Sequence, residues 1–162
     1  MSEFNLKQAS AEHDAALAQL IRTVMPEFGA CGSGFAINDP EVDYMSVAYR
    51  QARHRYLVVC NERDEVVGGG GIAPLAGADP SICELRKMYF LPEVRGRGVG
   101  SKLMNELLQF ARQNKFTTCY LETLTSMQAA QKLYRKFGFA RLDQPLGQTG
   151  HSGCDQWYSL NL

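Results

Sequence analysis

The run Arg95-Gly96-Arg97-Gly98-Val99-Gly100-Ser101 places three glycines and two arginines in seven positions, just after the apolar stretch that ends at Phe90-Leu91-Pro92. An amphipathic helical pattern begins inside it. Glycines let backbone amides approach a ligand closely, and a helix start adds unsatisfied N–H groups and the positive end of the dipole. The guanidinium groups of Arg95 and Arg97 add full charge, so the run suits a pyrophosphate. A plain tight turn with solvated arginines needs fewer of both residue types.

Two familiar phosphate sites fit this turn poorly. A dinucleotide site has in its favour Glu122, which ends the next strand about where a ribose-binding acid belongs, but its G-x-G-x-x-G spacing is not met: the third glycine falls one place early and Ser101 stands in its position. Such a turn also follows the first strand of several βαβ units, whereas here helices and a meander come before it. A nucleoside-triphosphate loop requires G-K-[ST], and none follows.

The elements that must position this turn are readable from hydropathy. Phe4 and Leu6 alternate as in a strand, and Ser10 can cap a helix whose Leu17, Leu20, Ile21 and Val24 recur at helical spacing until Pro26. Asp39-Pro40-Glu41 reads as a second helix start, with Val42, Met45, Ala48 and Tyr49 as its apolar face. Tyr56–Cys60, Val66–Ala73 and Ile82–Leu91 read as strands, although Gly68–Gly71 is unusual inside one. Beyond the turn come a helix from about Val99 to Asn114, strand Thr117–Glu122, a helix from about Met127 to Phe137, and strands Phe139–Leu142 and Cys154–Leu160. Leu103, Leu107 and Ala111 share one helical face, as do Ala130, Leu133 and Phe137. The order β-α-α-β-β-β-α-β-α-β-β predicts an α/β fold with a mixed sheet: a meander, then one right-handed strand-helix-strand crossover.

With these elements in place, the chain resembles the GNAT superfamily of N-acetyltransferases, in its bacterial small-molecule type. Arg95, Gly98 and Gly100 fit that family's [Arg/Gln]-x-x-Gly-x-[Gly/Ala] phosphate motif, and Ala130-Gln131-Lys132-Leu133-Tyr134-Arg135-Lys136-Phe137-Gly138-Phe139 looks like its A-x-x-L-Y-x-[KR]-x-G-F signature. Cys83-Glu84-Leu85-Arg86-Lys87-Met88-Tyr89 is similar to its fourth strand. The resemblance covers nearly the whole chain and implies acetyl-CoA as co-substrate, held by Arg95, Gly96, Arg97, Gly98, Val99, Gly100 and Ser101. Met88, Tyr89 and Phe90 would meet the pantetheine arm, Met88 and Phe90 through their backbone. The family often has Asn where Met127 stands, so Ser126 or Thr125 would have to replace that contact.

Acetyl transfer from a thioester to an amine needs a deprotonated nitrogen, a polarised carbonyl and a proton for the leaving thiolate. The resemblance implies that Tyr134 donates that proton. Glu84, among apolar neighbours that would raise its pKa, is the candidate base, against ordered water in that role and an edge-strand carboxylate in solvent as the plain alternative; Tyr89 and His151 are weaker candidates. The family's acceptor region corresponds to Glu27–Asn38, Gly68–Pro74 and Asp143–Gly153, whose small residues leave room beside the thioester. Glu27, Asp39, Asp43 and Glu84 would attract a cationic amine, while Arg50 and Arg53 would suit a substrate carboxylate. The acceptor is thus expected to be a small-molecule amine or an amino acid, and a non-catalytic acyl-CoA sensor is the competing reading.

Bulk properties exclude several other classes. Lys plus Arg and Asp plus Glu each number 17 in 162 residues, leaving no surplus of positive charge for nucleic acid. The chain is expected to form a single domain over residues 1–162. No apolar run approaches the ~20 residues of a membrane span, and the N-terminus lacks a signal-peptide pattern, so no membrane partner and a cytoplasmic location are expected. The cysteines at 31, 60, 83, 119 and 154 are dispersed, without C-x-x-C or zinc-ligand spacing, and read as reduced thiols with no metal. The resemblance also allows for a homodimer.

Overall fold

The computed structural model describes residues 3–162. Its elements are β1 (Asn5–Gln8), α1 (Asp14–Val24), α2 (Met45–Ala48), β2 (Arg55–Cys60), β3 (Val66–Pro74), β4 (Ile82–Phe90), α3 (Val99–Gln113), β5 (Thr118–Thr123), α4 (Gln128–Lys136), β6 (Ala140–Leu142) and β7 (Gln156–Asn161). The strands form one seven-stranded sheet in the order β1-β2-β3-β4-β5-β7-β6, antiparallel except for the β4–β5 pair. The mixed sheet and its element order match the sequence reading. Among the described residues, no helix is long and apolar enough to cross a membrane.

Strand alternation divides the core into two layers. Leu57 and Val59 of β2 face the layer of α3, where Leu103, Leu107 and Ala111 are fully buried; Tyr56, Val58 and Cys60 face α1, against Leu17, Ile21 and Val24. The second predicted helix is the element that changes most. A 3-10 turn spans Pro40–Asp43, Tyr44 leaves helical geometry at φ −144 and ψ 48, and α2 is one turn long. The Asp39 side chain caps nothing, because its carboxylate is engaged elsewhere in the fold.

The four glycines of β3 make no open space, contrary to the expectation that small residues there leave room for substrate. A Cβ at Gly69 would lie 2.7 Å from the Tyr56 ring, and one at Gly71 would lie 2.6 Å from it. The glycines therefore admit aromatic rings that lie flat on the sheet. Opposite them, β4 carries a bulge: Gly69 pairs with Tyr89 and Gly71 with Arg86, so Lys87 and Met88 together face Gly70. Lys87 adopts φ +48, and its carbonyl accepts a 2.6 Å hydrogen bond from Tyr56 Oη. The extra residue shifts the alternation, so Lys87 joins Glu84 and Arg86 at one cavity wall while Leu85 and Met88 pack toward α3.

The parallel β4–β5 pairing runs only from Ile82↔Thr118 to Glu84↔Tyr120. Beyond Glu84, β4 pairs with β3 alone, while β5 continues against β7 as far as Thr123. The two strands part, leaving a wedge with Glu84 at its apex.

Candidate active site

Two cavities meet in this wedge. The larger, about 490 Å³, lies between the end of β4, the glycine turn and α4. All the residues expected at the cofactor line it except Arg97, whose guanidinium sits 5.7 Å from the Phe4 ring centre instead. Gly96 and Gly98 have φ of +74 and +79, and nothing lies within 4 Å of where their Cβ atoms would be. Their left-handed backbone is what glycine permits at low cost. Gly98 also caps α3 with no side-chain bond, leaving first-turn amides of a 15-residue helix open to a ligand.

Arg95 reaches the same groove. Its Nε donates to the Phe90 carbonyl at 3.0 Å and its Nη1 to Glu27 at 3.0 Å, while Nη2 is buried with no partner among the described residues. An orphaned guanidinium N–H beside free helix amides fits a diphosphate anion. Lys136, which the sequence reading missed, adds a second cation to the lining.

The smaller cavity, about 50 Å³, lies on the other side of Tyr89, and Tyr89, Phe28 and Met127 line both. Its floor is Glu84, 4% exposed and therefore no edge carboxylate in water. Arg86 Nε donates to Glu84 Oε1 at 2.7 Å, whereas Oε2 receives no hydrogen bond among the described residues. Burial pushes the Glu84 carboxyl above its ordinary range, and Arg86 opposes that only in part. Behind Glu84, Arg86, Lys87 and His151 opens an outer cleft of about 280 Å³, bounded by Asp39, Pro40, Glu41, Tyr44, Ala76 and Thr149.

Tertiary structure brings these charges together. Lys87 Nζ, only 1% exposed, donates to Asp39 at 2.7 Å and to Glu41 at 2.8 Å. His151, read from the sequence as a weak candidate in a Gly/Ser loop, is instead largely buried. Its Nε2 lies 2.9 Å from Asp39 Oδ2 and its Nδ1 3.6 Å from Glu122 Oε1. The hydrogen bond to Asp39, and then the nearby Glu122 carboxylate, push its pKa up to about 9 against the cost of burial, so it is an imidazolium at neutral pH. Burial disfavours the Glu122 carboxylate, but His151, Thr149 and Tyr120 outweigh it and hold the group below its usual range. One ligand atom each from Glu84, Glu122 and His151 lies within 4.8 Å of the others, a spacing a small cation can bridge. Holding one there would require the imidazole in its neutral form.

Several other sequence expectations are placed elsewhere. Glu27 is bound to Arg95 and Asp43 to Arg22, so neither joins the acid cluster. Arg53 donates to the Asn114 carbonyl and stacks on Phe116, and neither it nor Arg50 lines either cavity. Ser126 and Thr125 spend their hydroxyls on the Phe28 carbonyl and Asp155. Tyr134 is 5% exposed, packed 6.0 Å from the Phe139 ring and 6.1 Å from that of Tyr158. Burial raises its phenol above the ordinary value, so it stays protonated.

A parting parallel strand pair beside a glycine turn that presents free amides can seat a diphosphate-bearing co-substrate with its far end in the wedge. A profile described as the acetyltransferase (GNAT) family matches residues 17–139. The chain belongs to that family and is an acetyl-CoA-dependent acetyltransferase. It is 43% identical over 151 residues to an uncharacterized N-acetyltransferase, YjgM, of Escherichia coli (strain K12), covering 93% of this chain and 90% of that one. It is 37% identical over 104 residues, 64% of each chain, to the N-alpha-acetyltransferase RimI of Mycobacterium tuberculosis. In fold it is similar to a GNAT-family acetyltransferase from Staphylococcus aureus, with a TM-score of 0.85 at 20% identity, covering 98% of this chain and 99% of that one.

Proposed function

We propose that the protein transfers an acetyl group from acetyl-CoA to the primary amine of a small molecule or amino acid, by direct attack within a ternary complex. The observation that carries this reading is the junction at Tyr89, Phe28 and Met127: a diphosphate-binding groove opens there onto a cavity floored by a carboxylate with a free oxygen. Acetyl-CoA supplies the activated acetyl group; the chain binds, orients and moves protons. Arg95, Lys136 and the amides at Gly98–Ser101 hold the diphosphate. The part of β4 beyond Glu84, unpaired on its β5 side, offers backbone to the pantetheine arm.

Glu84 Oε2 accepts a proton from the acceptor nitrogen, a role its raised pKa suits. Tyr134, protonated throughout the working range, donates a hydrogen bond to the departing sulfur. Cys154 lines the inner cavity, but burial and then the nearby carboxylates push its thiol up to about 12. Its thiolate is therefore scarce, which favours direct attack over an acyl-cysteine.

Thermal unfolding with acetyl-CoA, coupled to an assay for released thiol across primary amines, tests the reading. Stabilisation by acetyl-CoA and amine-dependent thiol release are expected. Stabilisation without thiol release from any amine would remove it.

A further inference from the structure

The charges around the inner cavity and outer cleft do not balance. Four carboxylates, of Asp39, Glu41, Glu84 and Glu122, face three cations, Arg86, Lys87 and His151. Each cation already faces at least one carboxylate. Lys87 is shared by Asp39 and Glu41, and His151 lies between Asp39 and Glu122. Arg86 holds Glu84 at 2.7 Å and the Pro74 carbonyl at 3.1 Å. The unused capacity is on the acidic side, at Glu84 Oε2. In a partly buried site, an uncompensated carboxylate calls for one cation, and a ligand carboxylate would set a fifth negative charge against three cations.

We infer that the acceptor is a primary amine carrying a single ammonium and no carboxylate beside it, such as an alkylamine, arylalkylamine or amino alcohol, rather than an α-amino acid. The inference rests on the acetyl-transfer reading of this site. The ammonium donates to Glu84 Oε2 and neutralises the cluster. The inner cavity has room for little beyond the nitrogen and the acetyl group, so the substituent extends to the outer cleft, where Pro40, Tyr44, Ala76 and Thr149 offer uncharged surface beside the ion pairs.

The reaction balances on these terms. The ammonium gives one proton to Glu84, the nitrogen forms the C–N bond as the C–S bond breaks, the thiolate takes a proton from Tyr134, and Tyr134 recovers the second nitrogen-borne proton. One proton then leaves Glu84 for water. The product amide is uncharged, so it no longer pairs with the ionised carboxylate, and release follows.

The test compares amines with their α-carboxylated counterparts at saturating acetyl-CoA and neutral pH, reading kcat/KM by thiol release: ethanolamine with serine, and phenethylamine with phenylalanine. The amine of each pair is expected to be favoured at least about tenfold. Ala76→Lys, which adds a cation at an exposed position of the outer cleft, is expected to cut that preference at least about threefold. Equal rates, a preference for the amino acids, or a ratio unmoved by Ala76→Lys would overturn the inference and leave acetyl transfer standing. Thiol release from no member, with acetyl-CoA bound by calorimetry, would remove the acetyl-transfer reading and this inference with it.

Discussion

Replacing His151 with glutamine tests whether the buried charge cluster is held by a proton. The imidazole is set between Asp39 on the loop before α2 and Glu122 on β5, with Glu84 of β4 acting on it from a third side. Its pKa rises from 6.5 to about 9 on folding. A group whose folded pKa is raised contributes stability that is complete below its unfolded value and is lost as pH climbs through the folded one, here from 6.5 to about 9. At about 1.4 kcal/mol per pH unit, the window corresponds to at most about 3 kcal/mol, which solvent screening of a partly exposed group lowers. For a chain of this length that ceiling is about 6 to 12 °C in melting temperature. Glutamine does not titrate and can donate to only one of the two carboxylates. Melting curves of both proteins between pH 6 and pH 10 should therefore converge as pH rises, the wild type losing its advantage across that window. Parallel curves would refute the imidazolium's role in joining the loop, β5 and the cleft.

Three further outcomes follow from the same geometry. Lys87→Met leaves Glu41 without its cation and Asp39 with His151 alone, and urea unfolding should show a loss of about 3 kcal/mol; a loss under about 1 kcal/mol would contradict the buried pairing. Tyr134→Phe keeps the ring packed against Phe139 and Tyr158, so stability and acetyl-CoA affinity should hold while kcat falls at least about tenfold; unchanged kcat would end its role as donor. Gly98→Glu places bulk and negative charge in open space at the diphosphate groove and should weaken acetyl-CoA binding at least about tenfold by calorimetry. Gly98→Ala, its control, should lose only about 1 to 2 kcal/mol of stability from its left-handed backbone.

The sequence alone determines the element order and much of the cofactor groove. Residues 88–101 are contiguous, and their conformations follow from local rules: glycine at positive φ, proline after a strand, a helix start left uncapped. A reader of the chain can find them without knowing what packs on them. The acceptor side is a different matter. Asp39 and His151 meet across 112 positions, and Glu122, which in sequence stands where a ribose-binding acid would, belongs to the same cluster. Asp39-Pro40-Glu41 reads as a helix start because a local cap is the nearest use for that carboxylate. In the fold a buried lysine and an imidazolium compete for it and win, since charge pairing strengthens where water is excluded. Lys87 offers a faint signal, as one of three charged residues, with Glu84 and Arg86, in a strand whose other residues are apolar or cysteine. Its alternation with Leu85 nonetheless points it toward α3, and only the bulge opposite Gly70 puts it with Glu84 and Arg86. Local propensity places a contiguous turn; it cannot place charges that come from four separate segments, because their positions are set by where the β4–β5 pair parts and which loops close over it.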